Sequence, residues 1–186
     1  MIINTRSSWL PGDYRGFRNR GHRAHSSGDY RHRPPPDEHK GLRIHNVQTC
    51  SPEVHLNAKM QAMIGRAIVS HFIASEHRVL AVAVAKLHAH ALVELPDNII
   101  RIRAIVGEAK RLSSRAVKSL RPGSIWSAGG TFKPITSRDH QQSVFKYILY
   151  SQGRGAWTWG FKDESGQGHF QRAHPLHDQP PRRGKA

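Results

Sequence analysis

Residues 77–96 read HRVLAVAVAKLHAHALVELP, and this stretch decides the fold. Its side chains alternate with a two-residue period, which is typical of a β-strand that lies in a sheet with two different faces. The stretch is too long for one ordinary strand. We therefore predict two strands that turn near Ala85-Lys86. Alanine favours helix, so the prediction depends on the alternation around the histidines rather than on propensity.

Three amphipathic helices are predicted around this hairpin, because apolar side chains recur at helical spacing over residues 52–76, 97–120 and 137–152. Each helix has a candidate capping side chain at its start. The candidates are Ser51 followed by Pro52 and Glu53, then Asp97 or Asn98, then Ser137 with Asp139.

Two more strands complete the predicted sheet. Residues 1–10 are short and partly apolar, and residues 125–135 read as a strand bent or broken at Gly129-Gly130. The element order is then βαββαβ, the ferredoxin-like α+β plan with an antiparallel sheet, followed by one more helix. In that plan the helices cover one face of the sheet and leave the other face free for a site.

The remaining segments are basic and irregular in sequence. Residues 11–51 are dense in Arg, His, Gly and Pro, and we expect an irregular basic arm there. Residues 161–186 are polar and end in PPRRGKA, which predicts a disordered basic tail. We assign residues 1–160 to one domain that includes the arm.

The charge of the chain indicates a polyanionic partner. The 186 residues carry 29 Lys plus Arg against 13 Asp plus Glu, a net charge of +16. Nucleic acid is the commonest polyanion that such a surface binds. The single cysteine, Cys50, excludes a disulfide framework and a multi-cysteine zinc site. No apolar run has signal-peptide or membrane-span length, so we expect a cytoplasmic protein with no membrane partner.

Two histidines in the hairpin are the first candidates for chemistry. His88 and His90 are two residues apart, so both imidazoles leave the same face of a strand. Two imidazoles on one face can hold a divalent metal and leave positions for substrate and water. A tyrosine on the last helix, Tyr147, is a candidate nucleophile, because a phenolate attacks a phosphodiester that a metal polarises.

A nearly single-signed helix face is the candidate DNA-binding surface. After Asp97 at the start of the helix, only Glu108 is acidic up to residue 120, whereas five residues on one face are basic. These residues are Arg103, Lys110, Arg111, Arg115 and Lys118. Lys146 precedes Tyr147 and is expected to favour the phenolate or to contact the phosphate. A face that is merely solvated is the alternative for this helix.

Four stretches together resemble a known family. They are LHAHALVEL (87–95), IWSAGGTFKPI (125–135), VFKYILYSQGRGAWTW (144–159) and WLPGDYRGFRNRGHRAHSSGDY (9–30). In order and spacing they resemble single-tyrosine HUH transposases, which include bacterial insertion-sequence transposases and their REP-associated relatives. The resemblance covers most of residues 2–160.

The resemblance implies specific roles. His88 and His90 would bind Mg or Mn, and Tyr147 would attack one DNA strand and become linked to its 5′ phosphate. A third ligand is usual four residues after the tyrosine. That position is Ser151 here, and the next residue, Gln152, is the expected ligand. Relatives act in the bacterial cytoplasm as homodimers on single-stranded, hairpin-containing DNA, so nicking and rejoining of such DNA in transposition is the expected activity.

Several alternatives stay open at this stage. Tyr150 lies one helical turn beyond Tyr147 and is a second candidate nucleophile. The poor ligand Ser151 and the short first strand favour a non-catalytic nucleic-acid-binding protein derived from such a transposase. An RNA-binding domain is less favoured, because the central strands lack the aromatic side chains that such sheets use. A structural zinc module is less favoured still, because the only cysteine is far from the histidines in sequence.

Overall fold

The structure, a computed structural model, describes residues 1–17, 25–27, 32, 34–35, 37–161 and 169–171. It is an α+β fold in which an antiparallel sheet has the strand order β1-β3-β2-β4-β5. The strands are β1 (Ile2–Asn4), β2 (Val79–Val84), β3 (His88–Val93), β4 (Trp157–Gly160) and β5 (His169–Gln171). The helices are α1 (Lys40–Thr49), α2 (Ala58–Ala74), α3 (Ile99–Ala116) and α4 (Arg138–Tyr150). None of these helices combines the length and apolar character that crossing a bilayer requires.

The predicted central hairpin is confirmed. Strands β2 and β3 pair antiparallel, with Ala83 opposite His90 and Val84 opposite Ala89. The turn falls where the sequence indicates it, since the Ala85 N–H donates to the His88 carbonyl at 2.8 Å. Strand β1 pairs with the other edge of β3, so β3 is a central strand of the sheet.

Each face of the sheet packs against different helices. On one face, side chains of β2 and β3 share a core with α2 and α3, which includes Val82, Val84, Ala89, Ala91, Ile64, Ile68, Val106 and Ala109. On the other face, α4 packs through buried Ile148 against Ala81, Ala83 and Leu92. The sheet therefore lies between two helical layers, and of the four described helices α4 is the one that covers the face opposite α2 and α3.

The predicted start of the helix over residues 52–76 is wrong, because the observed helix, α2, begins about one and a half turns later. Helix α2 begins after Asn57, whose side chain accepts a hydrogen bond from the Met60 N–H at 2.9 Å, and not after Ser51. The preceding segment is extended because its backbone bonds distant parts of the chain. The Val54 N–H donates to the Arg6 carbonyl, and the Leu56 N–H donates to the Lys86 carbonyl.

The predicted irregular arm contains a helix. Helix α1 occupies the end of residues 11–51 and buries none of its residues. Its contacts with the start of the arm fix it there, since the Asn46 side chain donates to the Pro11 carbonyl at 2.8 Å. Gly12, at φ +87°, leaves no room for a side chain beside the backbone of Arg43.

Residues 125–135 do not form the predicted strand. They make two isolated antiparallel bridges, Ile2 of β1 with Thr131 and Thr5, the residue after β1, with Trp126. Between the bridges Gly129 adopts φ +72°, a left-handed conformation that interrupts an extended strand. The segment therefore borders the sheet without forming a continuous ladder.

Two strands lie where none is predicted. Strand β4 adds to the free edge of β2, with Trp159 opposite Val82. Strand β5 falls inside the predicted disordered tail and pairs with β4. The rest of that tail, residues 162–168 and 172–186, lies outside the described residues.

A close approach between α2 and β4 gives a stability prediction. A methyl group at Gly65 would overlap the indole ring of Trp157, whereas one at Gly107 of α3 would meet nothing within 4 Å. We expect Gly65→Ala to lower the free energy of unfolding by about 1–3 kcal/mol through overpacking. We expect the matched control Gly107→Ala to raise it by about 0.5–1 kcal/mol, because alanine is the better helix former. Urea denaturation measures both values, and equal effects of the two substitutions would contradict the close approach.

Candidate active site

The two strand histidines share one face of β3. Their rings lie edge to face, with centroids 4.8 Å apart. His90 is 8% exposed and His88 is half-buried. The intervening Ala89 points into the core beneath α2 and α3, as the two-residue period requires. Both imidazoles therefore lie on the α4 side of the sheet.

Helix α4 brings Tyr147 to this histidine pair. The ring centroids of Tyr147 and His90 are 5.6 Å apart. Ile148 anchors the helix in the core, so its neighbour Tyr147 lies at the border of the sheet and remains 49% exposed. Tyr150 is 65% exposed, and it has no ring contact with a histidine among the described residues. Of the two candidate nucleophiles, only Tyr147 contacts the pair.

Gln152 connects the helix end to the strand. Its Oε1 lies 3.2 Å from His88 Nε2, and its Nε2 donates to the Tyr147 carbonyl at 3.1 Å. An amide oxygen can only accept, so this geometry selects the tautomer in which His88 Nε2 carries the proton. Ser151 is exposed, and its backbone N–H closes the helix on the Tyr147 carbonyl at 3.0 Å. Gln152, and not Ser151, is therefore the residue that reaches the histidines.

Burial keeps His90 neutral. Loss of solvation, with a smaller contribution from a positive charge on nearby His88, lowers the pKa of His90 from 6.5 to about 4. A neutral imidazole has a free ring lone pair at pH 7, which metal binding requires. The same burial would oppose a proton-transfer role that needs a charged His90.

The donor set fits a divalent metal. Two imidazoles and an amide oxygen are ligands that first-row divalent cations and Mg accept. Within the described ranges, no group of three or more His, Cys, Asp or Glu side chains could hold a metal. A metal at this site would have the two imidazoles of His88 and His90 and the amide oxygen of Gln152 as its protein donors.

An apolar cavity of about 750 Å³ adjoins His90 and Tyr147. It lies between the end of β3, α4 and residues 131–135, and its walls include Leu92, Val144 and Ile148. The cavity gives ligands access to the exposed side of Tyr147. Its lining is suited to flat or apolar groups more than to phosphates.

The predicted DNA-binding residues divide between the two sides of the sheet. Arg103 and Arg115 are exposed on α3, and Lys118 is exposed just beyond its end. Helix α3 packs on the face opposite the histidines. Lys146 is exposed on α4, directly before Tyr147. The structure therefore brings Lys146 alone of these residues onto the element that carries the tyrosine.

Two other predicted DNA-binding residues have partners within the fold. The Lys110 ammonium donates to the Ser127 and Gly129 carbonyls, and burial lowers its pKa. Arg111 forms an ion pair with Glu108 through two of its guanidinium nitrogens. Lys110 thus fixes residues 125–131 to α3, which is a structural role that its charge pattern did not indicate.

The alanines of β2 help to position the tyrosine helix, a role that was not predicted from the sequence. Ala81 and Ala83 lie beneath α4 and are fully buried. Small side chains at these alternate positions let the helix lie close to the sheet. The signal was available as an alternation of alanine with leucine and valine in a strand, where alanine is otherwise unfavourable.

Comparisons with protein-family models, curated proteins and solved structures give no significant match. The functional interpretation therefore depends on the geometry of the described residues and on the motifs of the sequence. Both concern the same few side chains on β3 and α4.

The low pKa of His90 predicts a loss of stability in mild acid. The unfolded chain protonates this imidazole near pH 6.5 and the folded chain only near pH 4, so the free energy of unfolding falls as pH falls through that range. Between pH 7 and pH 4.5 we expect protonation of His90 to lower the free energy of unfolding of the wild type by about 1–2 kcal/mol. The variant His90→Gln should not show this part of the decrease. Denaturant titration at both pH values measures it. His45→Gln, at an exposed position, is the control for loss of one imidazole, and equal pH dependence of the wild type and His90→Gln would contradict the assignment.

Proposed function

We propose that the chain is a transposase-type enzyme of the single-tyrosine HUH class, which nicks and rejoins single-stranded DNA through a 5′-phosphotyrosine intermediate. The observation that carries the proposal is the meeting of four side chains. Tyr147 contacts His90, and Gln152 bonds His88 from 64 residues away in sequence. The resemblance implies roles for Tyr147, His88 and His90 and a third ligand one position before Gln152, and the chain's net charge of +16 suits a DNA substrate.

The tyrosine supplies the nucleophile. Its phenolic oxygen attacks the phosphorus of a phosphodiester, forming a new P–O bond as the bond to the 3′ oxygen breaks. The phenol loses its proton, and the departing 3′ oxygen takes one up to become a hydroxyl. Rejoining reverses the exchange when a 3′-hydroxyl attacks the phosphotyrosine. One phosphodiester replaces another at each step, so the reaction needs no nucleotide cofactor.

His88, His90 and Gln152 would hold the Mg or Mn that such a reaction uses. When bound, the cation polarises the phosphoryl oxygens as a Lewis acid. The low pKa of His90 keeps its ring available as a ligand at neutral pH. Gln152 ties the tyrosine helix to the ligand strand, because it bonds both the Tyr147 carbonyl and His88. It therefore positions the nucleophile, and as a metal ligand its Oε1 would exchange the hydrogen bond to His88 for the cation.

The ferredoxin-like plan is part of this proposal. Residues 125–131 bridge the outer edge of β1, so the order across this part of the sheet is that segment, β1, β3, β2. All of these neighbours are antiparallel. That arrangement supports a βαββαβ unit to which α4 and β4 are added, with the proposed site on the face opposite α2 and α3.

The two tyrosines provide a matched test of the nucleophile. Phenylalanine keeps the ring and its packing and removes only the hydroxyl. We expect Tyr147→Phe to bind single-stranded hairpin DNA as the wild type does and to form no covalent adduct, whereas Tyr150→Phe keeps adduct formation. Denaturing gel electrophoresis after incubation with labelled DNA and Mn detects the adduct.

Other outcomes of this experiment have definite meanings. An adduct in Tyr147→Phe but not in Tyr150→Phe would move the nucleophile to Tyr150. Absence of an adduct in the wild type, with DNA binding intact, would favour the alternative of a non-catalytic DNA-binding protein derived from a transposase.

Two variants of adjacent residues test the third metal ligand. Gln152→Ala removes the oxygen beside His88, whereas Ser151→Ala changes an adjacent exposed side chain. We expect Gln152→Ala to raise the Mn concentration needed for half-maximal adduct formation about tenfold or more, as loss of a ligand or its support does at metal sites. Ser151→Ala should match the wild type. An unchanged Mn requirement in Gln152→Ala would remove this residue from the ligand set.

A further inference from the structure

A second cavity, of about 560 Å³, lies on the His88 side of the site. Trp9, Gln61, Lys86, Arg154, His88 and Gln152 are among its lining residues. The proposed function uses the last two and assigns nothing to the first four. The cavity differs from the one beside His90 in charge, because its lining residues within the described ranges include Lys86 and Arg154 and no acidic residue, whereas the other cavity is lined by Glu94 and Asp97.

Gln61, one of the lining residues of this cavity, has a buried amide oxygen without a partner in the described part of the chain. The residue is 6% exposed, and its Nε2 donates to the Leu56 carbonyl at 2.9 Å. That bond fixes the amide, and its Oε1 has no hydrogen-bond partner among the described residues. Buried polar atoms are nearly always paired, because an unpaired one loses its hydration without compensation. The Oε1 atom therefore keeps a vacant acceptor position on a residue that lines the cavity.

Two free cations and an aromatic ring accompany this acceptor. Lys86 and Arg154 are exposed and have no acidic partner within the described part of the chain. Arg15, by contrast, is neutralised by Asp13 at 2.6 Å and lies over the ring of Trp9 at 4.6 Å from its centroid. Trp9 remains 49% exposed, so it still presents an aromatic surface.

Backbone bonds place the acceptor next to the histidine strand. Leu56 accepts from Gln61 through its carbonyl and donates its N–H to the Lys86 carbonyl at 2.9 Å. Lys86 is two residues before His88, the histidine that bonds Gln152. A group bound in this cavity therefore lies beside the site and is continuous with it.

We propose that this cavity binds one nucleotide of the single strand, a proposal that rests on the function proposed above. Lys86 and Arg154 contact its phosphate, Trp9 packs against its sugar or base, and Gln61 Oε1 accepts a hydrogen bond from an amino group of the base. A nucleotide combines an anion, a flat ring and an N–H donor. An acidic side chain of a protein ligand would pair with Lys86 and Arg154, but its carboxylate has no N–H to donate to Gln61 Oε1.

The base contact can be tested with oligonucleotides that differ only in an amino group. The probes are single-stranded homopolymers of equal length, adenine against nebularine and cytosine against pyrimidin-2-one. Fluorescence anisotropy in EDTA measures binding without cleavage. We expect the wild type to prefer the amino-bearing member of at least one pair by about 3- to 10-fold, the effect of one neutral hydrogen bond. Gln61→Met, which keeps the length and removes the acceptor, should abolish the preference.

The phosphate contacts have a separate test on exposed residues. We expect Lys86→Gln/Arg154→Gln to flatten the log–log dependence of affinity on salt by about 0.7 for each lost phosphate contact and to keep the amino preference. The charge-matched control Lys59→Gln/Arg121→Gln should leave the slope as in the wild type.

The outcomes separate this proposal from the proposed function. No amino preference in the wild type, or one retained in a folded Gln61→Met, overturns the base contact. If circular dichroism shows that Gln61→Met does not fold, the amino preference of the wild type and the salt dependence of the charge variants decide whether the cavity binds a nucleotide. Equal slopes in the two double variants overturn the phosphate contact. Adduct formation without amino preference refutes the cavity alone, whereas amino preference without an adduct refutes the enzyme and leaves the cavity as a nucleotide site.

Discussion

The alternation of side chains along β3 is the constraint on which the rest of the structure depends. Small Ala89 and Ala91 point toward α2 and α3, so those helices can pack closely on the sheet. The same period sends His88 and His90 to the opposite face. There α4 covers Leu92 and holds Tyr147 against His90. A shift of register by one residue would bury the imidazoles under α2 and α3 and dismantle the site.

Local patterns predicted those parts of the fold whose causes are local. The hairpin follows from a two-residue period, and α4 starts at Ser137 because that side chain caps it. The predicted start of α2 was wrong because the Val54 and Leu56 N–H groups donate to carbonyls of distant residues, which no local pattern reveals. Strand β4 was missed for the same reason, since its partner β2 lies far away in sequence.

The candidate site was predictable in unequal parts. Periodicity alone placed His88 and His90 on one face. The meeting of Tyr147 with His90 depends on how α4 crosses the sheet, and only the motif resemblance indicated it before the structure did. The number of basic residues on α3 could not predict where they lie relative to the site. Helix α3 packs on the face of the sheet opposite the histidines. Lys110 is bound by backbone carbonyls there.

The two cavities lie on different sides of the histidine pair and differ in charge, because neighbouring positions of β3 border each of them. His90 borders the apolar cavity beside Tyr147, whereas His88 borders the cavity that contains Lys86 and Arg154. Phosphates are most favourable near the basic side chains, and flat apolar groups near the other wall. Under the proposed function, a strand that spans both cavities passes the histidine pair, with its charge held on the His88 side. The exposed side of Tyr147 then faces the strand from the side of α4, where the helix holds its ring against His90.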